Sequence, residues 1–238
     1  MSDPEIPLDA SADDSLRAAA DPGLTEDMAL ALLKKPDLPP EALEAIARNP
    51  GAMKSRKVKL ALVSHPRAPR HVSLPMVRPL FSFDLMKLAL TPTVPADIKK
   101  AADDALIARL ETLSSGERLA LARQASGRVA GALLGDPESR VMTVALENSR
   151  LTEAAVIRAI MRIDSSAAFV EAACRHPKWS LRREVRMALL RNPKTPMARA
   201  VEFARSLPAS LVREILESSK LPANIKEFLR KDLHRRTL

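Results

Sequence analysis

The sequence predicts an all-α fold made of repeated pairs of short helices. Aromatic residues are only 3% of the 238 and tyrosine is missing, so alanine, leucine, valine, isoleucine and methionine must fill the core, and this composition favours helices. Six glycines are few for the many turns of a sheet protein, whereas nineteen prolines suit a helical chain in which they mark helix starts and ends. A self-similar pattern along the chain is the third observation.

Two distant stretches of the chain carry nearly the same pattern. The first, VKLALVSHPRAP, runs from Val58 to Pro69, and the second, VRMALLRNPKTP, runs from Val185 to Pro196. Both have Val, Ala, Leu, Pro and Pro at positions 1, 4, 5, 9 and 12, and MALALLKKPDLP at 28–39 differs only by Met at the first of these. Looser copies begin at residues 86, 117, 142, 169 and 212. Most copies begin about 28 residues after the preceding copy, and a regular spacing of this length is typical of repeat architectures.

Each copy predicts a first helix that is followed by a second. Apolar residues at positions 1, 4 and 5 lie on one helix face. The helix ends at Pro or at a polar turn, and the second Pro or its polar substitute opens the next helix, where a missing amide costs nothing. Neither helix buries its apolar face alone, so consecutive pairs must stack. The predicted second helices cover residues 39–48, 95–110, 152–163 and 222–233, and the first helix of the chain lies near 15–20.

The paired short helices and their helix-opening prolines resemble the HEAT and armadillo group of repeats, over residues 16–236. The Asn-Pro punctuation is similar to the bacterial leucine-rich repeat variant. The resemblance implies a right-handed α-solenoid of about seven to eight irregular two-helix repeats, whose concave surface binds a partner. The iron–sulfur cluster of the leucine-rich repeat variant does not carry over because Cys174 is the only cysteine, and we expect no cofactor.

The two ends of the chain differ in charge. The first 33 residues carry a net charge of −7, so the remaining residues carry +16. Residues 1–15 have too few apolar groups to fold alone and are predicted to be an acidic disordered arm. Residues 16–238 are predicted to form a single α-helical repeat domain. We expect the arm to lie over the basic surface until a partner displaces it.

The spacing of polar residues gives no catalytic or metal-binding pattern, and we expect a protein that is not an enzyme. Gly127, Gly131 and Gly135 lack the Lys-Ser/Thr of a phosphate loop and are interpreted as helix-packing positions. The histidines show no paired ligand spacing, and His65 and His176 each precede a Pro, where His suits the negative end of a helix dipole. An enzyme site assembled between repeats stays a third alternative.

The period breaks between residues 169 and 185, where one helix is predicted to end one pair and begin the next. Trp179 lies at this junction. We interpret it as filling a packing gap, with a pocket as the alternative. Cys174 is interpreted as a small core residue. A lone cysteine, an acidic N-terminus and no apolar run of about 18 residues predict a soluble, cytoplasmic protein without a membrane span.

Basic residues carry the functional signal. Position 2 of the repeat is basic in five of eight copies, and equivalent positions of stacked helices form a ladder. Residues 51–80 hold seven Lys or Arg and no acid, and residues 175–205 hold nine against two Glu. The candidate partner-binding residues are Lys54, Arg56, Lys57, Lys59, Arg67, Arg70, Lys87, Arg118, Arg182, Arg183, Arg186, Arg191 and Arg213.

These residues allow three interpretations. The leading one is a non-enzymatic helical-repeat scaffold that binds a protein, or an acidic segment of one, on its concave or basic surface. The alternative is sequence-nonspecific nucleic-acid binding through the clusters 54–78 and 175–205, although the aromatic platforms of many single-strand binders are missing. In the structural interpretation, Lys and Arg are simply soluble helix formers at exposed positions.

Overall fold

The computed structural model describes residues 12–237, and this part of the chain is entirely helical. It has sixteen α-helices, two short 3₁₀ helices and no strand among the described residues, so the predicted all-α class is confirmed. The chain divides into two compact units, Met1–Arg109 and Leu110–Leu238. No helix in the described residues is long and apolar enough to cross a membrane.

The first unit contains seven α-helices and the 3₁₀ helix Ala52–Lys54. They are α1 (Ala12–Ala20), α2 (Glu26–Leu33), α3 (Pro40–Arg48), α4 (Arg56–Ser64), α5 (Arg70–Val77), α6 (Ser82–Leu90) and α7 (Ala96–Ile107).

The second unit contains nine α-helices and the 3₁₀ helix Leu110–Thr112. They are α8 (Ser115–Gln124), α9 (Gly127–Leu133), α10 (Ser139–Glu147), α11 (Glu153–Met161), α12 (Ala167–Arg175), α13 (Arg183–Arg191), α14 (Met197–Arg205), α15 (Ala209–Ser218) and α16 (Ala223–Thr237). The four predicted second helices are present as α3, α7, α11 and α16, and the helix predicted near 15–20 is α1.

Helices within each unit pack against the next helix but one. In the first unit α1 contacts α3, α2 contacts α4, α4 contacts α6, and α5 contacts α7. In the second unit one series runs α8, α10, α12, another runs α9, α11, α13, α15, and α14 contacts α16. This is the pattern that stacked helix pairs produce. The prediction that neighbouring pairs stack is therefore confirmed within each unit.

The two similar stretches of the sequence occupy matching environments. Val58 and Val185 are each the third residue of a nine-residue helix, and both are fully buried. Each helix is followed by a C-cap residue that precedes Pro, His65 after α4 and Asn192 after α13. The chain repeats itself because the same helix, with the same buried face and the same polar end, is built twice.

Polar residues at the ends of these helices hydrogen-bond to the preceding repeat. Asn49 donates Nδ2–H to the carbonyl of Asp21 at 3.0 Å, and its Oδ1 accepts from the amide nitrogens of Gly51 and Ala52. Asn192 likewise donates to the carbonyl of Ile160 at 2.6 Å. We call these residues cross-repeat caps; the others are Asn148, which donates to Ala122 at 2.8 Å, and Ser219, which donates to Leu190 at 2.6 Å.

His65 is also a cross-repeat cap. It is buried, its Nε2 lies 2.9 Å from the carbonyl of Lys35, and its Nδ1 accepts from the amide of Arg67 at 3.2 Å. The ring therefore connects the end of its own helix to the preceding repeat, which agrees with the interpretation of His65 as a structural residue at a helix end. The residue acts through hydrogen bonds in both directions.

Prolines mark helix starts at most of the predicted positions. Pro69, Pro95, Pro196 and Pro208 are the N-cap residues of α5, α7, α14 and α15. Pro75 is an exception, because it lies inside α5. There it cannot donate to the carbonyl four residues earlier, and the helix ends two residues later at Val77. The expectation that every proline marks a helix boundary is wrong at this position.

The break in the repeat period is present in the second unit. Helix α13 packs against α11 and α12 on one side of the sequence and against α14 and α15 on the other. Because an interior helix of any stack has neighbours on both sides, the double role of this helix stays a prediction. Trp179, in the turn before α13, is buried and donates Nε1–H to the carbonyl of Leu146 at 2.9 Å. The tryptophan thus fills the core and also supplies the cross-repeat hydrogen bond that Asn makes elsewhere.

Only the last four residues of the predicted acidic arm are among the described residues. Residues 12–15 belong to α1, and residues 1–11 lie outside the described part of the chain. The prediction that residues 16–238 form a single domain stays a prediction, because the compactness of each unit does not determine how the two are joined.

Candidate functional site

Three of the seven cations in the basic cluster of the first unit pair with acids from other helices. Arg56 forms a bidentate pair with the buried Asp84, with Nε–Oδ2 at 2.6 Å and Nη2–Oδ1 at 2.9 Å. The hydrogen bond to Asp84 raises the pKa of Arg56 above its ordinary value. The guanidinium also lies 4.6 Å from the ring centroid of Phe81. Arg56 is therefore held in place by two partners at once.

Further members of this cluster have partners as well. Arg70 pairs with Asp97 at 2.6 Å, and Lys57 pairs with Glu26 at 3.5 Å. Arg67 donates to the backbone carbonyl of Asp37. The partners in these contacts are about 30 residues apart along the chain, which is roughly one repeat. Residues 51–80 contain no acid, but the neighbouring repeats place acids next to them. The candidates whose side chains have no partner within the described part of this unit are Lys54, Lys59 and Lys87.

Two exposed phenylalanines lie beside this cluster. Phe81 is 64% exposed and Phe83 is 44% exposed, at the start of α6. Large apolar side chains exposed together mark an interaction surface more often than isolated ones do. The cluster with its phenyl rings forms one candidate surface.

Two predicted partner-binding arginines of the second unit stabilise their own fold. Arg118 is mostly buried and donates Nε–H to Asp136 at 2.7 Å and Nη1–H to the carbonyl of Leu113 at 2.7 Å. Arg186 donates to the carbonyl of Ser180 at 2.6 Å. Their guanidinium groups are already engaged, so they offer little to a partner. Arg213, on α15, is exposed.

Three other predicted arginines lie at the two ends of α13 and have no carboxylate partner among the described residues. Arg182 and Arg183 begin the helix and follow Leu181, which is 69% exposed. Arg191 ends the helix. Two of these three cations therefore directly follow an exposed aliphatic side chain.

A cleft of about 310 Å³ lies where α11, α13 and α15 end. Because these three helices pack in one series and all bring their C-terminal ends to the cleft, they run in the same direction. The cations in its lining are Arg162, Arg191, Lys194 and Lys220. No acidic residue is among its described lining residues. Its electrostatic character is positive.

The wall of the cleft combines this charge with exposed apolar surface. Ile163 is 94% exposed and Met161 is 52% exposed. Ser165 is only 7% exposed, and its Oγ has no hydrogen-bond partner among the described residues. Buried hydroxyls are normally paired. Cations, aliphatic groups and an unpartnered hydroxyl thus meet in one concavity, which we name the α11–α13–α15 cleft.

Two of the four cations are engaged within the protein. Arg162 forms a bidentate pair with Asp164, at 2.9 and 2.7 Å, and this guanidinium lowers the pKa of the Asp164 carboxyl. Lys194 donates to the backbone carbonyl of Ser165. Arg191 and Lys220 have no side-chain partner in residues 12–237, and the Lys220 amide donates to the Arg191 carbonyl at 3.2 Å. These two unpaired cations are neighbours.

Sequence reasoning found Arg191 in this cleft and missed the rest. The predicted helix 152–163 included Ile163, whereas α11 ends at Met161 and leaves Ile163 in the following turn. Trp179 is buried, as its interpretation as a packing residue requires, and it is not among the lining residues of this cleft. An isoleucine between Arg162 and Asp164 was the available signal.

The other candidates for chemistry lie outside any such site. Burial raises the pKa of the Cys174 thiol to about 12, so the thiolate is scarce at neutral pH. This fits its interpretation as a core residue. Residues 12–237 contain no group of three or more His, Cys, Asp or Glu side chains placed to hold a metal ion.

Comparison with known proteins gives no match. The chain matches no family model, no curated protein and no solved structure. The resemblance to HEAT and armadillo repeats therefore stays a prediction.

Proposed function

We propose that this chain is a non-enzymatic helical-repeat scaffold that binds a protein partner through an acidic segment of that partner. The observation that carries this proposal is the pairing of free cations with exposed aliphatic side chains in the second unit. Arg182 and Arg183 follow Leu181, and Arg191 shares a cleft with Ile163. Such a surface complements a ligand that offers both negative charge and apolar side chains.

This combination favours a polypeptide over a phosphate backbone. Phosphates satisfy cations but bring no aliphatic group to cover an exposed leucine or isoleucine. An acidic protein segment supplies carboxylates for the cations and side chains for the apolar surface. Burying a side chain such as Ile163 contributes on the order of 1.5–3 kcal/mol, which electrostatic contact alone does not provide.

We further propose that the stacked helix pairs follow a right-handed α-solenoid path of the HEAT and armadillo kind, with about seven to eight two-helix repeats. The contacts between every second helix and the cross-repeat caps support this proposal. The buried single cysteine suits the reducing cytoplasm, where we expect the protein to act.

Fluorescence anisotropy with the full chain tests the proposed function. The probes are a labelled short peptide in which leucines alternate with pairs of glutamates, the same peptide with Gln in place of Glu, and a labelled DNA duplex. We expect the acidic peptide to bind at least about tenfold more tightly than its neutral counterpart, since paired charges and buried leucines both contribute. Failure of the acidic peptide to bind at low salt would contradict the proposal.

A second candidate function, nucleic-acid binding, has one observation in its favour. Phe81 is exposed and the guanidinium of Arg56, a member of the cluster 54–78, lies over its ring, so an exposed aromatic side chain beside these cations supports base stacking. If this candidate is correct, the duplex or a single strand binds more tightly than the acidic peptide. Its affinity then falls about 10³-fold or more between about 50 and 200 mM salt, provided six or more phosphates are contacted.

A further inference from the structure

We propose that the α11–α13–α15 cleft is the docking site for this acidic segment, and that it binds a carboxylate side chain next to an aliphatic one. The inference rests on the proposed function and assigns it to named residues. The carboxylate is placed at Arg191 and Lys220, and the aliphatic side chain against Ile163 and Met161.

The unpaired cations define where the carboxylate binds. Arg191 and Lys220 line the same cleft, their backbones are joined by a hydrogen bond, and neither side chain has a partner within the described residues. Arg162 and Lys194, by contrast, are already engaged by Asp164 and the Ser165 carbonyl. A guanidinium and an ammonium that line one cleft both offer N–H donors to the two oxygens of a carboxylate.

Several helix-end carbonyls around the cleft already accept hydrogen bonds. Helix C-termini normally present free carbonyls, whose partial negative charge favours cations over anions. Here the carbonyl of Ile160 accepts from Asn192, the carbonyl of Leu190 accepts from Ser219, and the carbonyl of Arg191 accepts from the Lys220 amide. Three carbonyls at this edge are therefore engaged within the protein, and the attraction for a carboxylate has to come from the side chains of Arg191 and Lys220.

The apolar wall defines the second half of the ligand. Ile163 projects from the turn after α11 with 94% of its surface exposed, which is unusual for a β-branched aliphatic residue. Since it is adjacent in sequence to Arg162 and shares the cleft with Arg191, an aliphatic side chain that covers it places the neighbouring residue of an extended peptide near the cations. Covering this isoleucine favours a segment of a protein over a lone anion.

The Ser165 hydroxyl is a further reason to expect a ligand here. It lines the cleft, and it has no hydrogen-bond partner among residues 12–237. A peptide carbonyl or carboxylate bound in the cleft is the acceptor that this hydroxyl lacks.

Three variants of the full chain test the docking site with the labelled glutamate–leucine peptide. The double variant Arg191→Gln/Lys220→Gln removes the free cations, and Ile163→Ser removes the aliphatic contact. We expect each to weaken peptide binding by roughly tenfold. The control Arg123→Gln/Arg140→Gln lowers the net charge equally at exposed positions of α8 and α10 outside the cleft. We expect the control to change the affinity less than about twofold.

The outcomes separate the docking site from the proposed function. If the wild-type protein binds the peptide and the cleft variants bind it equally well, the docking site is wrong and the function stands. If the control weakens binding as much as the double variant, the peptide responds to net charge only, and the docking site is again wrong. If the wild-type protein does not bind the peptide, both proposals fail. Circular dichroism of each variant verifies that its helical content is unchanged.

Discussion

The residues at the helix ends explain how short helices that are marginal alone become one stacked structure. A helix of nine residues is too short to be stable in isolation. Asparagine is suited to join two of them because its side chain has both a donor and an acceptor. Asn148 uses both: Nδ2 donates to the Ala122 carbonyl, and Oδ1 accepts from the Arg150 amide at 2.8 Å. Asn49, Asn192 and His65, each of which precedes a Pro, make the same kind of contact to the preceding repeat, so these residues have a structural role at the helix ends.

Replacing Asn148 tests the energetic importance of the cross-repeat caps. Asn148→Ala leaves the Ala122 carbonyl and the Arg150 amide without partners, so we expect a loss of about 2–4 kcal/mol in the free energy of unfolding. Urea denaturation followed by circular dichroism measures it. Glu147→Ala, at the neighbouring exposed position, serves as the control and should change stability by less than about 0.5 kcal/mol. Equal effects of the two substitutions would show that the cap is unimportant.

His176 makes stability depend on pH. Burial, together with the charge of Lys178, lowers the pKa of His176 below its ordinary 6.5, and its Nδ1 accepts from the amides of Lys178 and Trp179. The unfolded chain binds the proton more readily, so this contribution to stability is present above about pH 6.5 and is lost as the pH falls toward the folded pKa.

The variant His176→Asn isolates this dependence, because asparagine keeps an acceptor but does not titrate. We expect the wild-type protein to lose more stability than His176→Asn between about pH 7.5 and pH 5.5, where carboxylates remain ionised. Thermal melts at the two pH values give the comparison. Parallel losses in both proteins would mean that His176 does not titrate in this range.

Much at the residue scale could not be predicted from the sequence, and the reason is distance along the chain. The sequence predicts Arg56 to be a free cation, because no acid is near it along the chain. Its partner Asp84 lies 28 residues away, on the next helix but one. The sequence likewise predicts Arg118 to be exposed, but its side chain is mostly buried and donates to Asp136 and to the Leu113 carbonyl. Local sequence shows the charge of a side chain and not what the neighbouring repeat places beside it.

The helices themselves were predictable because their boundaries depend on local chemistry. Proline and short polar residues end and begin helices over one or two residues, so α3, α7, α11 and α16 were all expected. The exceptions are informative. Helix α5 continues through Pro75, and α11 ends before Ile163, where no proline signals the end. Because the end of α11 was not predictable, the exposed position of Ile163 in the cleft was not predictable either.

Glycine positions determine how closely neighbouring helices approach. A Cβ atom added at Gly127, the first residue of α9, would lie 2.2 Å from the carbonyl oxygen of Arg150, and one added at Gly131 would lie 3.2 Å from the Cβ of Ala155. Both support the interpretation of these residues as packing positions. Gly135 meets only ordinary contacts at 3.7 Å or more, so it does not require glycine for packing.

A pair of alanine substitutions tests this packing at the scale of the element. Gly127→Ala forces α9 away from the Arg150 carbonyl, and we expect it to lower the free energy of unfolding by about 2 kcal/mol or more. Gly116→Ala, in α8, meets nothing within 4 Å and should leave stability unchanged or raise it by up to about 1 kcal/mol. Chemical denaturation of both variants measures these changes in the free energy of unfolding. If Gly127→Ala leaves that free energy unchanged, the close approach of α9 to the Arg150 carbonyl is contradicted.

At the scale of the whole molecule, charge alone is a poor guide to function. The chain carries a net charge of +9, which on composition suits any anionic partner. In the structure many cations are engaged by carboxylates or carbonyls of a neighbouring repeat, in both units. The observation that favours the proposed protein ligand over a nucleic acid is that Arg182 and Arg183 follow the exposed Leu181 and that Arg191 shares a cleft with the exposed Ile163. The sequence indicated a basic surface, and only the structure shows which part of it is free.

A nuclear magnetic resonance titration of the full chain, labelled at isoleucine δ1 methyl groups, tests the binding of an acidic segment most directly. The glutamate–leucine peptide should shift the Ile163 signal to saturation and leave the signals of Ile46 and Ile98, which are buried in the first unit, unchanged. The glutamine–leucine peptide should have little effect at the same concentration. An Ile163 signal that does not move at saturating acidic peptide would contradict the proposed site, and the absence of any shift would contradict binding itself.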